Sequence, residues 1–157
     1  MTSDTQIPDD FTLVPAGVGF ADVLAPLFVK QSEEETVLGM RVEKNHLNGI
    51  NICHGGVSMI LADICCAWNI RRRLDEGNAP ATLNLSFDFL SAAKRGDWIE
   101  THLDLIAVKR RVGFAGGTVA CGEKTLVRFN GTFFIPEPGR FTMREGVRER
   151  FDSLQIK

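Results

Sequence analysis

Apolar residues recur along this chain with two different periods, and the longest segment of helical period begins at Gly55. Residues 55–74 contain no proline, and apolar side chains follow one another at helical spacing. The stripe consists of Val57, Ile60, Leu61, Ile64 and Trp68. The remaining faces are also largely apolar, which is typical of a helix enclosed by other structure. We therefore predict a central helix over about residues 55–75, which Gly77 can end.

Alternation with a period of two predicts strands on both sides of this helix. The predicted strands are Thr36–Val42 before it and Thr82–Leu90, Trp98–Val108, Val112–Cys121 and Lys124–Ile135 after it. In the first strand after the helix, alternation places Leu83, Leu85, Phe87 and Phe89 on one face. Short turns between strands indicate an antiparallel meander. One long apolar helix beside one such sheet implies that the sheet curls around the helix, an α+β architecture.

The two ends of the chain carry weaker patterns. Helical spacing of Phe20, Val23, Leu24, Leu27 and Phe28 predicts a short amphipathic helix interrupted by Pro26. We expect one domain over residues 1–157, with a core at about 20–136 and with 1–18 and 137–157 as peripheral termini. The tail after Pro138 is expected to be a peripheral helix or a disordered end.

Composition narrows the class of protein. The 157 residues are 44% hydrophobic and 24% charged, with a formal net charge of −2, so we expect no nucleic-acid partner. The acidic N-terminus and the short apolar stretches predict a cytoplasmic protein without a membrane partner. Four cysteines without a CxxC pair favour neither a disulfide framework nor a metal site.

Asp63 is a carboxylate in an otherwise apolar helix. Its helical neighbours at i−4, i−3, i+3 and i+4 are Met59, Ile60, Cys66 and Ala67, so the helix offers it no salt-bridge partner. A carboxylate in such a place must receive donors from other elements, and carboxylates of this kind are enriched at active sites. Taken alone, a structural role for Asp63 is as reasonable as a catalytic one.

His54, Gly55 and Gly56 immediately precede the helix. Free N–H groups at a helix start can stabilise a developing oxyanion, although the two glycines could equally serve to cap and pack the helix. The helix start and Asp63 lie roughly 10–12 Å apart along the axis. This gap closes if two antiparallel subunits each contribute one half of a site. Edge-to-edge pairing of the sheets would form such a dimer.

Several motifs together resemble a known family. The segment Asn48-Gly-Ile-Asn-Ile-Cys-His-Gly-Gly56, Asp63 nine residues after His54, the strand from Thr82, and the later Gly96-Asp97 and Gly131-Thr-Phe-Phe are similar to hotdog-fold thioesterases of the phenylacetyl-CoA (PaaI-like) type. The resemblance covers about residues 36–135. Two positions depart from the family pattern: Asn51 replaces a frequent glycine, and Ala92 replaces a common proline. Asn tolerates the left-handed conformation, so we expect the loop to turn as in the family.

The resemblance implies an acyl-CoA thioesterase that needs no metal or organic cofactor and works at the interface of a homodimer or homotetramer. By position, the N–H of Gly55, with Asn48 and His54 as further candidates, would polarise the thioester carbonyl. Asp63 would act as general base or nucleophile, and Thr82 would orient the water.

Substrate-binding residues are assigned less specifically. Met59 and Ile60, with residues of the partner subunit, are expected to line the acyl pocket, and Gly56 is a further substrate-binding candidate. Arg110 and Arg111 are candidates for the CoA phosphates, with a solvated turn as the alternative for the arginines. Two other functions remain open: a hotdog hydratase or dehydratase, which would need a catalytic His paired with an acid, and a non-catalytic acyl-CoA-binding protein.

Overall fold

The computed structural model describes residues 6–74 and 78–154. Within them a seven-stranded antiparallel sheet packs against α1, Gly55–Arg71. The strands are β1 (Thr12–Leu13), β2 (Leu27–Gln31), β3 (Thr36–Arg41), β4 (Ala81–Phe89), β5 (Trp98–Lys109), β6 (Val112–Cys121) and β7 (Lys124–Phe134). Their order in the sheet is β1-β2-β3-β5-β6-β7-β4. Because α1 contacts all five strands from β3 to β7, the predicted helix against an antiparallel sheet is confirmed.

The central helix ends about one turn before the predicted limit. After Arg71 the chain turns, and the guanidinium of Arg72 donates to the carbonyl of Ser32 at 2.7 Å and to Oγ1 of Thr36 at 3.1 Å. Arg73 donates to the carbonyl of Asn69 at 3.3 Å. The Arg73 bond satisfies a carbonyl of the last helical turn, and the Arg72 bonds tie this end of the helix to the β2–β3 turn. The predicted stop at Gly77 lies outside the described residues.

β4 is the edge strand next to Asp63 of α1, and its pairing with β7 is irregular. The pairing with β7 shifts between Thr82 and Asn84, which leaves Leu83 out of the ladder. Thr82 consequently faces α1 on the same side as Leu85, because a residue excluded from the ladder reverses the alternation. The predicted common face of Leu83 and Leu85 is therefore wrong, and Leu83 is 61% exposed.

The segment that precedes β3 differs from the predicted helix. A short 3₁₀ helix spans Phe20–Leu24, and β2 begins at Leu27. Leu27 and Phe28 are buried in the sheet instead of continuing a helix. Pro26 lies between the two elements, where its ring and missing N–H prevent helix continuation. The helical prediction for residues 20–28 holds for its first five residues only.

The tail of the chain forms α2, Glu145–Ser153. Its Phe151 is buried, and the ring centroid lies 4.6 Å from that of Trp68 on α1 in an edge-to-face arrangement. On the same helix, Arg150 donates to the carbonyl of Gly17 at 3.4 Å. α2 therefore joins the C-terminal half of α1 to the segment before the 3₁₀ helix.

The length and hydropathy of the helices bear on membrane insertion. Within residues 6–74 and 78–154, no helix combines the length and the apolar character needed to cross a bilayer.

Candidate active site

The carboxylate of Asp63 receives its hydrogen bond from the neighbouring strand. Oγ1 of Thr82 donates to Oδ1 of Asp63 at 2.8 Å. Asp63 is partly buried and Thr82 is exposed, so water can reach both groups. The donor that the helix itself lacks is thus supplied by β4, at the residue that the register shift turns inward.

A cavity of about 450 Å³ adjoins Asp63 between α1, β4 and the segment around the 3₁₀ helix. Its described lining comprises Val18, Phe20, Ala21, Met59, Ile60, Asp63, Ile64, Trp68, Leu85 and Phe87. Of these lining residues only Asp63 is charged. A mainly apolar cavity of this size with one polar group is typical of a small-molecule site. The structure therefore brings together the predicted residues Asp63, Met59 and Ile60.

α1 is apolar on nearly every side because it contacts both the sheet and the cavity. Leu61 and Cys65 are fully buried among the strands, whereas Ile60 and Ile64 are partly buried and line the cavity. Met59 is exposed at the same cavity. One side of the helix packs against the sheet, and another forms a wall of the candidate site.

The start of α1 is capped by His54. Its Nδ1 accepts a hydrogen bond of 2.9 Å from the N–H of Gly56. A side chain at Gly56 would come within 3.0 Å of this nitrogen, and one at Gly55 would come within 3.0 Å of the Phe89 ring. Both glycines therefore have a packing role. Among the described residues no acceptor is seen for the N–H of Gly55, which leaves it as the free donor at the helix start.

Asn48 shapes the loop that leads into this helix start. Its Oδ1 accepts hydrogen bonds from the N–H groups of Ile50, at 3.0 Å, and Ile52, at 3.3 Å. Asn51 has a φ of 59°, the left-handed conformation expected for an asparagine in place of glycine. The loop therefore turns as expected, and Asn48 acts on the helix start through this turn.

The helix start and Asp63 remain apart within one protomer. Gly55 precedes Asp63 by eight residues of continuous helix, a rise of roughly 12 Å. One small group held at Asp63 therefore cannot also contact the Gly55 N–H of the same helix. What one protomer offers is a carboxylate with a donor beside an apolar cavity, together with a separate donor at the end of the helix.

None of the four cysteines is suited to act as a nucleophile. Burial raises the pKa of Cys53 to about 11 and that of Cys65 to about 12. It likewise raises the pKa values of Cys66 and Cys121 above the ordinary value. The thiol form therefore dominates at neutral pH, whereas nucleophilic attack requires the thiolate.

The two predicted phosphate-binding arginines lie at the β5–β6 turn. Arg111 donates from Nη1 to Oε1 of Glu137 at 3.0 Å, and its guanidinium stacks over the ring of Phe134. Arg110 has a φ of 55° and an exposed side chain for which no partner is seen in the described part of the chain. Arg111 thus has a local structural role, while Arg110 extends into solvent.

Part of the cavity wall lies outside α1, and the sequence did not predict it. Leu85 and Phe87 of β4 were predicted to share an apolar face, but the pattern gives no sign that this face lines a cavity. Val18, Phe20 and Ala21 lie about 40 residues before Asp63, and no motif connects the two segments. Only the folded chain shows this contact.

Comparison with known proteins gives a family and a set of relatives. The family model described as "Thioesterase superfamily" matches residues 50–128. A Pseudomonas aeruginosa protein named "Putative esterase PA0474" is 27% identical over 132 residues, which cover 83% of this chain and 98% of that protein.

Solved structures share the architecture. A mutant of the phenylacetic acid degradation protein PaaI from Thermus thermophilus matches with a TM-score of 0.65 and 25% identity, over 73% of this chain and 96% of that one. A hypothetical thioesterase from Streptococcus pneumoniae, solved with coenzyme A, matches with a TM-score of 0.64 and 18% identity, over 80% of this chain and 94% of that one. These similarities confirm the predicted hotdog fold.

Proposed function

The chain belongs to the thioesterase superfamily, and from this premise we propose that it is an acyl-CoA thioesterase that releases a free acid and CoA. As predicted from its sequence, it is a thioester hydrolase by family. The observation that carries the finer proposal is the hydrogen bond between Thr82 and Asp63 beside an apolar cavity. This bond supports the proposal because it orients one carboxylate beside a cavity suited to an acyl group.

In the proposed reaction Asp63 activates the attacking water. The carboxylate removes a proton as the water oxygen bonds to the thioester carbon, and the carbonyl electrons move to oxygen. When the carbonyl re-forms, the carbon–sulfur bond breaks and the thiolate of CoA takes up a proton. In the alternative version the Asp63 carboxylate attacks the carbon itself, the carbon–sulfur bond breaks and the CoA thiolate leaves and takes up a proton. Water then hydrolyses the mixed anhydride to the free acid and the Asp63 carboxylate. Thr82 holds Oδ1 in both versions, which leaves Oδ2 for the reaction.

Stabilisation of the oxyanion requires a second subunit in this proposal. The N–H of Gly55 has no acceptor among the described residues but is roughly 12 Å along the helix from Asp63. β4 ends the sheet with exposed residues, which makes it a natural edge for pairing with a second copy. In a symmetric pair, the helix start of one subunit meets Asp63 of the other, and each dimer then holds two sites.

The lining of the cavity supports an apolar, uncharged acyl group. Apart from Asp63, the described lining residues are hydrocarbon, thioether or aromatic side chains, including Phe87 and Trp68. The free carboxylate of a dicarboxylic acyl group would be buried close to Asp63, with no cation among the described lining residues, which is electrostatically costly. We therefore propose monocarboxylic acyl-CoA substrates over dicarboxylic ones.

Recognition of CoA is proposed to involve the β5–β6 turn. The relative from Streptococcus pneumoniae has the same fold and was solved with coenzyme A, which supports a CoA ester as the substrate class. Arg110 is exposed and available for a phosphate, whereas Arg111 is paired with Glu137.

The test is hydrolysis of a panel of acyl-CoA esters, monitored by the release of free thiol, for wild type and Asp63→Ala. We expect turnover to fall about 10²-fold or more in the variant. Asp88→Ala is the matched control, because Asp88 is an exposed carboxylate on β4 that lies on the face opposite Thr82 and Leu85.

Two outcomes would reject the proposal. Unchanged hydrolysis in Asp63→Ala would reject the mechanism. Wild-type protein that binds acyl-CoA but hydrolyses none of the panel would favour a non-catalytic binding protein.

A further inference from the structure

The cavity beside Asp63 is completed by residues from outside the family segment. Val18, Phe20 and Ala21 line it, although the family model matches only residues 50–128. The carboxylate, its threonine donor and the α1 wall all lie inside that segment. The chemistry and part of the acyl wall therefore come from different parts of the chain.

The N-terminal part of this wall is closed by hydrogen bonds within residues 17–22 and tied to α2 by one more. The carboxylate of Asp22 accepts hydrogen bonds from the N–H of Gly17, at 2.9 Å, and from the N–H of Val18, at 3.3 Å. Arg150 of α2 donates to the carbonyl of Gly17, and a side chain at Gly17 would collide with the Arg150 guanidinium. Residues 17–22 are thus held in one position beside the cavity.

The far end of the cavity is supported by the same C-terminal helix. Trp68 lines the cavity, and Phe151 packs against it edge-to-face. Phe151 also lies under the guanidinium of Arg71, which is 5.4 Å from the ring centroid. Because Phe151 is buried and packs against both side chains of α1, a shift of the Trp68 indole would have to displace Phe151.

Phe20 is the most informative residue of the wall. It lines the cavity and is 75% exposed, and Met59 of the same cavity is exposed as well, so the two side chains form an apolar surface that a ligand can cover. An acyl chain that enters beside Asp63 would cover one face of this ring.

We propose that the two terminal segments, residues 17–22 and α2, set the acyl-chain preference of the enzyme, with Phe20 and Val18 as the specificity-determining side chains. This inference rests on the proposed thioesterase activity. Arg150 and Phe151 act as positioning residues, since they contact the wall and not the substrate.

The test measures kcat/KM for acetyl-, butanoyl-, hexanoyl-, octanoyl- and decanoyl-CoA in the full chain. In Phe20→Ala we expect the ratio of octanoyl-CoA to acetyl-CoA to fall roughly tenfold, because lost apolar contact affects the longer chain most. Val18→Phe adds bulk and should move the optimum to a shorter chain. Val23→Ala is the matched control, because Val23 is exposed on the same 3₁₀ helix but is not part of the described cavity lining.

A second comparison tests the support from α2. Arg150→Gln should lower the same ratio less than Phe20→Ala does, whereas Arg148→Gln on the same helix should leave it unchanged. Thermal unfolding and molecular mass in solution accompany each variant, so that a change in folding or assembly is recognised.

The outcomes separate this inference from the proposed function. An unchanged ratio in both Phe20→Ala and Val18→Phe, with an active wild type, overturns the inference alone. An equal loss for all chain lengths, or dissociation of the assembly in Phe20→Ala, also overturns it, because a partner subunit would then cover the ring. A wild type that hydrolyses no member of the panel overturns both.

Discussion

Thr82 on the edge strand and Asp63 on the central helix are joined by a hydrogen bond of 2.8 Å. Regular alternation from Leu85 back along β4 would turn Thr82 away from the helix. The shift of register that excludes Leu83 turns it inward instead. The one irregularity of this strand pairing therefore allows Thr82 to donate a hydrogen bond to Asp63.

Thr82→Val should weaken catalysis and leave the fold intact. Valine keeps the shape and β-branching of threonine but removes the hydroxyl, and hydrogen bonds to charged groups contribute about 1.5–3 kcal/mol. We expect kcat to fall roughly 10- to 100-fold, less than in Asp63→Ala. Thr82→Ser should retain most activity, and Ser86→Ala on the opposite face of β4 should retain all of it. Equal activity of the Val and Ser variants would argue against a role for the hydroxyl.

The long elements were predictable because their hydrophobic period is strong and local. α1 and the strands from β4 to β7 follow the predicted segments closely. The failures have local causes too. The spacing of Leu24, Leu27 and Phe28 fits a helix, but Pro26 ends it and the latter two residues join the sheet. The excluded Leu83 cannot be read from alternation, because a bulge reverses the face without changing the residue types.

The candidate site was predictable only in part. Asp63 stood out as a charge without a helical partner, and the role of Thr82 came from the family resemblance. The contact of residues 18–21 with the cavity joins segments distant in sequence, as does the packing of Phe151 on Trp68. Neither contact has a local pattern, so neither could be predicted.

His54→Ala should destabilise the protein by removing the cap of α1. Its Nδ1 accepts the N–H of Gly56, and loss of an N-cap costs about 1 kcal/mol. His54→Asn should recover both the free energy of unfolding and the activity, because Asn is a good N-cap. Chemical denaturation and the thiol-release assay check this. An Asn variant that is stable but inactive would instead place the imidazole in the reaction.

His46 should make stability depend on pH. It is 3% exposed, its Nδ1 accepts the N–H of Glu43 at 2.9 Å, and burial lowers its pKa below the ordinary value of 6.5. The unfolded chain therefore takes up this proton first. The stability contributed by neutral His46 is complete above pH 6.5 and is lost as the pH falls through 6.5 towards the pKa of the folded state.

The measurement is the free energy of unfolding between about pH 5 and 8 for wild type and His46→Gln. The variant should lose less stability on acidification. His102→Gln is a control in which the pH dependence of stability should change in the opposite direction, because the hydrogen bond to Glu100 raises the pKa of His102 from its ordinary value of 6.5. Stability due to His102 is present below pH 6.5 and is lost as the pH rises through the pKa of the folded state. Parallel curves for wild type and His46→Gln would contradict the assignment.

Mixed subunits test whether the site is shared. Asn48→Ala disturbs the loop before the helix start, and Asp63→Ala removes the carboxylate. If each site takes one half from each subunit, an equal mixture that exchanges subunits should recover about a quarter of wild-type activity, because half of the dimers then hold one intact site each. Activity that stays at the level of the separate variants, after mass spectrometry confirms mixing, would contradict a shared site.

The exposed edge of β4 also bears on how the protein must be handled. Among the described strands it ends the sheet, so in a single protomer its outer N–H and C=O groups are a template for pairing with any extended chain, with Leu83 and Phe89 exposed along it. Aggregation during refolding should therefore begin at this strand. Lysine in place of Leu83 would keep a lone protomer in solution, at the expense of assembly.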